Sequence, residues 1–187
     1  FTQWPIAVEF VFNRGVLPSY GPGRQGVDTG TLENLKTYED FEAAVKRQVD
    51  HIAEMTTKGS VIIQKTVREM TPTPYMSLFV DGCMQNGKDV TAGGAVLYEG
   101  PGTIFAGLAT YADSMAAVKK LLYEEKKYSL QEMKEAMDHN LQGHERVLKD
   151  CQAAQKEGDD DDYGDHSAKD NAGDAELVFT ESDTLHS

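Results

Sequence analysis

Thr91-Ala92-Gly93-Gly94-Ala95-Val96-Leu97-Tyr98-Glu99-Gly100-Pro101-Gly102, continued by the run Thr103 to Tyr111, is the stretch on which the fold turns. Gly93 and Gly94 allow a close backbone approach that a residue with a Cβ prevents. Val96, Leu97 and Tyr98 read as a short buried strand. Gly100-Pro101-Gly102 turns the chain, and Ile104, Phe105, Leu108 and Thr110 read as further extended, apolar chain. Glu99 thereby falls at the end of a strand on a glycine-flanked loop, where α/β proteins place their chemistry. The same residues also fit a plain hairpin with a solvated Glu99 at its tip.

The 187 residues are enough for one core, and 40% of them are hydrophobic. No run of 18 apolar residues occurs, so a membrane span is not expected. The opening Phe1-Thr2-Gln3-Trp4-Pro5 has neither an initiator Met nor a basic leader, which reads as a processed chain or one cut from something larger. Cys83 and Cys151 lie far apart in unrelated contexts, an arrangement that suits a reducing, cytoplasmic compartment. The net charge of −13 is concentrated in residues 157–187, which hold eleven acids and one base, Lys169. Neither part carries the basic stripe that a phosphate backbone requires, so nucleic acid is not an expected partner.

Outward from that stretch, residues 3–14 read as a helix apolar on most sides, with Pro5 in its first turn and Gly15 as its stop. Residues 16–36 form a long Gly/Pro-rich connection without phosphate-loop order. Thr37 caps a helix whose Phe41, Ala44, Val45, Val49, Ile52 and Met55 recur at helical spacing to about Thr57, and Ser60 starts another that ends near Met70. His51 has no second ligand at i+3 or i+4 and reads as a surface histidine. Tyr75 to Asn86 reads as a short apolar helix burying Leu78, Phe79, Val80 and Cys83. Asp113-Ser114 begins an amphipathic helix, and Ser129-Leu130-Gln131-Glu132 is a capping box opening a helix to about Leu141. Gly143 ends that one, and a last helix runs from about His144 to Ala154. Asp159 to Asp162 lack the spacing of a calcium loop and read as solvated acids.

Several of these stretches resemble the glycyl radical enzymes, the pyruvate formate-lyase superfamily. Phe79-Val80-Asp81-Gly82-Cys83, Gly87-Lys88-Asp89 and Gly93-Gly94-Ala95 are similar to the family's mid-barrel signature. Ala112-Asp113-Ser114-Met115-Ala116-Ala117-Val118-Lys119-Lys120 is similar to its "DSLAAIKK" helix, and Lys156 to Tyr163 to its "KYGNDDDYVD" turn. Val8-Glu9-Phe10 and Asn13-Arg14-Gly15 stand where the family has "ELALNNG". Tyr98 to Thr103 and Tyr123 to Tyr128 look most like the arylacetate decarboxylases, of the 4-hydroxyphenylacetate decarboxylase type. The resemblance runs through residues 1–165 and leaves 166–187 as an acidic, weakly ordered stretch.

The family's G-C-x-E-P loop, which bears the thiyl Cys, and its R-V-x-G-Y loop, which bears the radical Gly, are both absent from this sequence. Gln155, Glu157 and Asp159 also depart from the family's Pro, Tyr and Asn. The resemblance therefore implies an internal fragment of α/β class: a mostly helical piece of a ten-stranded barrel, with about two short strands around 94–110. It implies that the parent is an anaerobic lyase, decarboxylase-like, whose glycyl radical is installed by an iron–sulfur activase using S-adenosylmethionine. The fragment itself is expected to bind no cofactor or metal and to be inactive alone. Its partners would be the rest of the barrel, the activating enzyme and a small-molecule substrate, with a homo-oligomer also admitted. Tyr98, Glu99 and Thr103 would line the substrate cavity, with Glu99 the candidate proton carrier. The competing reading is a stand-alone acidic helical interaction module without catalysis.

Overall fold

The computed structural model describes residues 2–17, 21–97 and 104–154. The chain divides into two compact units, Phe1–Ala53 with Phe105–Ser187, and Glu54–Ile104. Helices dominate both. In chain order the elements are β1 (Thr2–Gln3), α1 (Pro5–Phe12), α2 (Tyr38–Met70), α3 (Pro74–Ser77), α4 (Cys83–Asn86), β2 (Phe105–Ala106), α5 (Leu108–Val118), α6 (Leu130–Asp138) and α7 (Glu145–Gln152).

The first unit is organised around α1, which buries Ala7, Val8, Phe10, Val11 and Phe12. Pro5 occupies its first turn, where a missing N–H costs nothing. Gly15, at φ +77°, ends it by donating to the Phe10 carbonyl at 2.7 Å. The long connection then folds back, and the Gln25 and Gly26 N–H groups both donate to the Gly15 carbonyl at 2.9 and 2.8 Å. Gln48 of α2, wholly buried, closes this return. Its Nε2 donates to the Val27 carbonyl at 2.7 Å and its Oε1 accepts from the Val27 N–H at 2.9 Å. A Cβ on Gly26 would lie 2.6 Å from that Oε1, so only glycine fits there. Outside, Arg14 and Arg24 converge on Asp28 at 2.8 and 3.0 Å, and hydrogen bonding from Arg14 holds the Asp28 carboxyl down to about 2.

Thr37 and Asp40 cap α2 reciprocally: the Thr37 hydroxyl accepts from the Asp40 N–H, and the Asp40 carboxylate accepts from the Thr37 N–H. Phe41, Ala44, Val45 and Val49 form its buried stripe. The expected break between Thr57 and Ser60 does not occur, and α2 is one helix of 33 residues. Gly59 lowers helix propensity by only about 1 kcal/mol, and a Cβ placed there would meet nothing within 4 Å, so no packing contact forces a bend.

α5 begins five residues earlier than the sequence suggests. Gly107, at φ +82°, supplies the left-handed residue before Leu108, and its Cα packs so close to Pro5 that a Cβ would lie 2.9 Å from the proline ring. Leu108 and Thr110 are therefore helical, and Tyr111 is buried against Trp4 at 5.7 Å between ring centroids. The helix continues through a wider π turn, Lys119–Glu124, which brings the Tyr123 hydroxyl to the Leu35 carbonyl at 3.2 Å. Burial, with a smaller contribution from Asp40, pushes the Tyr123 hydroxyl up to about 12. The capping box at Ser129 is present as expected. α6 stops at Asp138 rather than Leu141, because Asn140 and Leu141 adopt positive φ and the Leu141 N–H returns to the Ala136 carbonyl at 2.7 Å. Lys127 and the Tyr128 hydroxyl both reach Asp150 of α7, at 2.7 and 2.5 Å. Phe12, Phe41, Met115, Val11 and Val45 are the fully buried centre.

The second unit departs further from the sequence reading. Tyr75–Asn86 is not one helix but two single turns, α3 and α4, separated at Gly82, whose φ of +93° a helix cannot hold. Leu78 and Phe79 are exposed at 54% and 74%, while Cys83 is buried as expected. Residues 94–97 are not a strand, and Val96 and Leu97 are exposed. The one parallel pairing among the described residues joins Phe105–Ala106 to Thr2–Gln3. No described helix is long and apolar enough to cross a membrane.

Gln48 yields a direct test. Gln48→Met keeps most of the volume but leaves both polar groups of Val27 unpaired, and should cost about 2 kcal/mol. Gln48→Ala adds a cavity and should cost about 2–4 kcal/mol. Chemical denaturation of both variants measures the two contributions, and a neutral Gln48→Met would show that water replaces the amide.

Candidate functional site

The described first part of the stretch singled out in the sequence, Thr91 to Leu97, belongs to a tightly tied loop in the second unit. Its hub is Asp89, which the sequence reading quoted within the family signature without giving it a role. The Asp89 carboxylate accepts from the Thr91 hydroxyl at 2.6 Å and the Thr91 N–H at 2.9 Å, which fixes the turn Val90–Ala92. It also accepts from the Thr73 N–H at 2.9 Å and the Ser77 hydroxyl at 2.8 Å, so it joins the loop to α3. The Ser77 oxygen in turn accepts from the Val90 N–H at 2.9 Å. These donors, led by the Thr91 hydroxyl, hold the Asp89 carboxyl down to about 2.

The glycines of the signature explain themselves in this frame. A Cβ on Gly94 would lie 2.1 Å from the Lys88 carbonyl oxygen, and the Gly94 carbonyl accepts from the Asn86 amide at 2.9 Å. A Cβ on Gly82 would lie 2.7 Å from the Val96 nitrogen, whose N–H donates to the Asp81 carbonyl at 2.9 Å. With the Gly94 N–H committed to the Asp89 carbonyl, the Gly94 carbonyl to the Asn86 amide and the Val96 N–H to the Asp81 carbonyl, this segment has no partner strand among the described residues. That is why the β-formers Val96 and Leu97 do not make one.

Tyr98, Glu99 and Thr103, the residues the sequence reading assigned to substrate, lie outside the described residues, as do Asp159 to Asp162. The loop leading to Tyr98 is defined through Leu97. The chain is defined again at Ile104, and Ala106 accepts from the Trp4 N–H at 3.0 Å. The contacts of Asn86, Ser77 and Thr73, and the role of Asp89 in joining Ser77 and Thr73, are what sequence reasoning missed. Asp89-Val90-Thr91 carries a local capping signal, but Thr73 and Ser77 stand 16 and 12 residues away and give none.

Among the described residues, no group of three or more His, Cys, Asp or Glu side chains is placed to hold a metal ion. His51 has its Nε2 3.1 Å from the Gln25 carbonyl and serves the first unit's loop. Cys83 is buried, and burial pushes the Cys151 thiol up, so neither shows the activated surroundings of a nucleophile.

Comparison with known proteins fixes the family. The family described as pyruvate formate lyase-like matches residues 1–177. The chain is 39% identical over 168 residues to (2S)-3-sulfopropanediol dehydratase of Klebsiella oxytoca, covering 88% of this chain and 20% of that protein. It is 29% identical over 148 residues to indoleacetate decarboxylase of Tractidigestivibacter scatoligenes, covering 75% of this chain and 17% of that one. Among solved structures, the B12-independent glycerol dehydratase of Clostridium butyricum superposes with a TM-score of 0.81 at 28% identity, over 95% of this chain and 22% of that one. A glycyl radical enzyme of Archaeoglobus fulgidus superposes with a TM-score of 0.76 at 30% identity, over 95% of this chain and 21% of its own. The chain belongs to the pyruvate formate lyase-like family, the glycyl radical enzymes. It spans about a fifth of the length of these relatives.

The Asp89 network predicts a local acid transition. Its folded value, about 2, lies below the ordinary 3.8, so its stabilisation is complete above about pH 4 and is lost as the pH falls toward 2. The Val90 and Thr91 amide resonances should shift across that window, and Asp89→Asn should abolish the shift. Asp28 titrates in the same range in the other unit, so residue-resolved spectra rather than a global melt make the distinction. Gly94→Ala has no space for its methyl group against the Lys88 carbonyl and should destabilise the second unit by about 2–4 kcal/mol in native-state exchange.

Proposed function

We propose that this chain serves as the helical, loop-mounting part of a glycyl radical lyase that acts on a small substrate. The observation that carries the reading is the 39% identity to a dehydratase of this family over 88% of the chain. Residues 1–165 would form part of the family's barrel enclosure. The rest of the barrel, the thiyl Cys and the radical Gly would come from the longer protein, and an S-adenosylmethionine activase would install the radical. The exposed apolar side chains Tyr75, Phe79, Val96 and Leu97 support this reading, since such surface is normally covered by further protein.

The reaction would be a lyase reaction breaking a carbon–oxygen or carbon–carbon bond, and the finer choice rests on identity. Loss of water is favoured by the dehydratase at 39%, over decarboxylation of an arylacetate, favoured by indoleacetate decarboxylase at 29%. In either case the chain's own contribution would be made by the segment that follows the Asp89-tied loop. Tyr98 and Thr103 would orient the substrate by hydrogen bonds, and Glu99 would accept a proton from a substrate hydroxyl or return one. Closure of the barrel around them would exclude water and raise the Glu99 carboxyl toward a useful range.

The test is Glu99→Gln in the longer protein, with glycyl radical yield by electron paramagnetic resonance and turnover measured on one preparation. Radical yield should be unchanged and turnover should fall by about 10²-fold or more, the scale for loss of a positioned acid–base group. Normal radical with normal turnover would remove Glu99 from the mechanism. Parallel assays with a sulfonated diol and an arylacetate separate dehydration from decarboxylation. The 187-residue chain by itself should turn over neither.

A further inference from the structure

The end of α6 brings two imidazoles together. The helix closes on His139, and the chain then turns through Asn140 and Leu141, at φ +50° and +60°, and Gly143, at φ +78°. The Gln142 N–H donates to the His139 carbonyl at 3.0 Å and the His144 N–H to the Leu141 carbonyl at 3.1 Å, so residues 139–144 fold into one tight return. A positive φ is costly for a residue as bulky as leucine. It is held here because Leu141 packs against the first unit's core while its N–H reaches the Ala136 carbonyl. The return sets the His139 and His144 rings 6.1 Å apart between centroids, with their planes at 35°.

The hydrogen bonding of the pair is that of a ligand. The His139 Nδ1 lies 2.8 Å from the Glu135 carbonyl oxygen. A carbonyl only accepts, so Nδ1 carries the proton of the neutral ring and Nε2 carries the lone pair. Anchoring one ring nitrogen on a backbone carbonyl is how metal-bound histidines have their tautomer and orientation fixed. With a metal–nitrogen distance of about 2.0–2.1 Å, two imidazoles on one ion stand about 5–6 Å apart between centroids. A small side-chain rotation brings this pair to that spacing. The local charge also favours a cation: Lys134 pairs with Asp138, which leaves Glu135 and Glu145 against Arg146.

We propose that His139 and His144 bind one divalent transition-metal ion of the zinc type, with water in its remaining positions. Imidazole suits such ions, whereas magnesium and calcium require oxygen ligands. Bound there, the ion pins the end of α6 to the start of α7, which His144 precedes. Both ligands lie in the first unit and neither belongs to the proposed substrate segment, so the site stands whatever reaction the longer protein performs.

Titration of the 187-residue chain with zinc chloride, followed by calorimetry and by the imidazole proton resonances, tests this. One ion per chain should bind, moving the resonances of His139 and His144 and leaving those of His51, His166 and His186 in place. His139→Asn and His144→Asn use a residue that suits a helix end. Each should lower the affinity by about tenfold or more with an unchanged circular dichroism spectrum. Zinc should raise the melting temperature of the parent chain, and both variants should lose that rise. The double variant His166→Asn with His186→Asn should keep it. Absence of saturable binding below about 1 mM zinc overturns the proposal. Binding that survives either the His139 or the His144 substitution overturns it too, and assigns the ion to the acids of residues 157–187 or to another histidine.

Discussion

The side-chain amide of Gln48, paired with both polar backbone groups of Val27, holds the first unit's longest connection against its helices. A connection of this length has no ladder of its own, and its buried peptide groups need partners from elsewhere. Gln48 supplies them from the middle of the buried face of α2, where an apolar residue would pack well but leave Val27 unpaired. The close approaches of Gly15 and Gly26 follow from this, since the returning chain can lie against Gly15 only where neither residue carries a Cβ. With the connection fixed, α1 and α2 bring Phe12 and Phe41 together at 5.5 Å and the core forms around them.

The second unit solves the same problem with a charge. Asp89 gathers donors from Thr73, Ser77 and Thr91, and a carboxylate so satisfied stays ionised far into acid. Glycines at 82 and 94 let the loop close on itself without clash. The product is a loop fixed as far as Leu97. It owes little to a hydrophobic core: Tyr75, Phe79 and Leu97 are left in the open. A unit built this way is suited to being covered, which agrees with a chain that spans about a fifth of its glycyl radical relatives.

Local signals in the sequence determined the elements whose causes are themselves local. Pro5 and Gly15 bound α1, Thr37 starts α2, and Ser129 with Glu132 starts α6, because a cap or a stop acts within one helical turn. The order of the motifs from Val8 to Lys120 carried the family, since it rests on residue identities. Tertiary structure alone decided the rest. Leu108 and Thr110 became helical because Gly107 packs against Pro5 across a hundred residues, and Val96 was kept out of a strand because its N–H is spent on Asp81. β-propensity reports a preference for a half-buried pleated surface, and at 94–97 no such surface is offered. The Asp89 network joins residues 12 and 16 positions apart in sequence, and the Gln48 bridge joins residues 21 apart. No periodicity links such positions; only the folded chain, by making each buried polar group find a partner, brings them together.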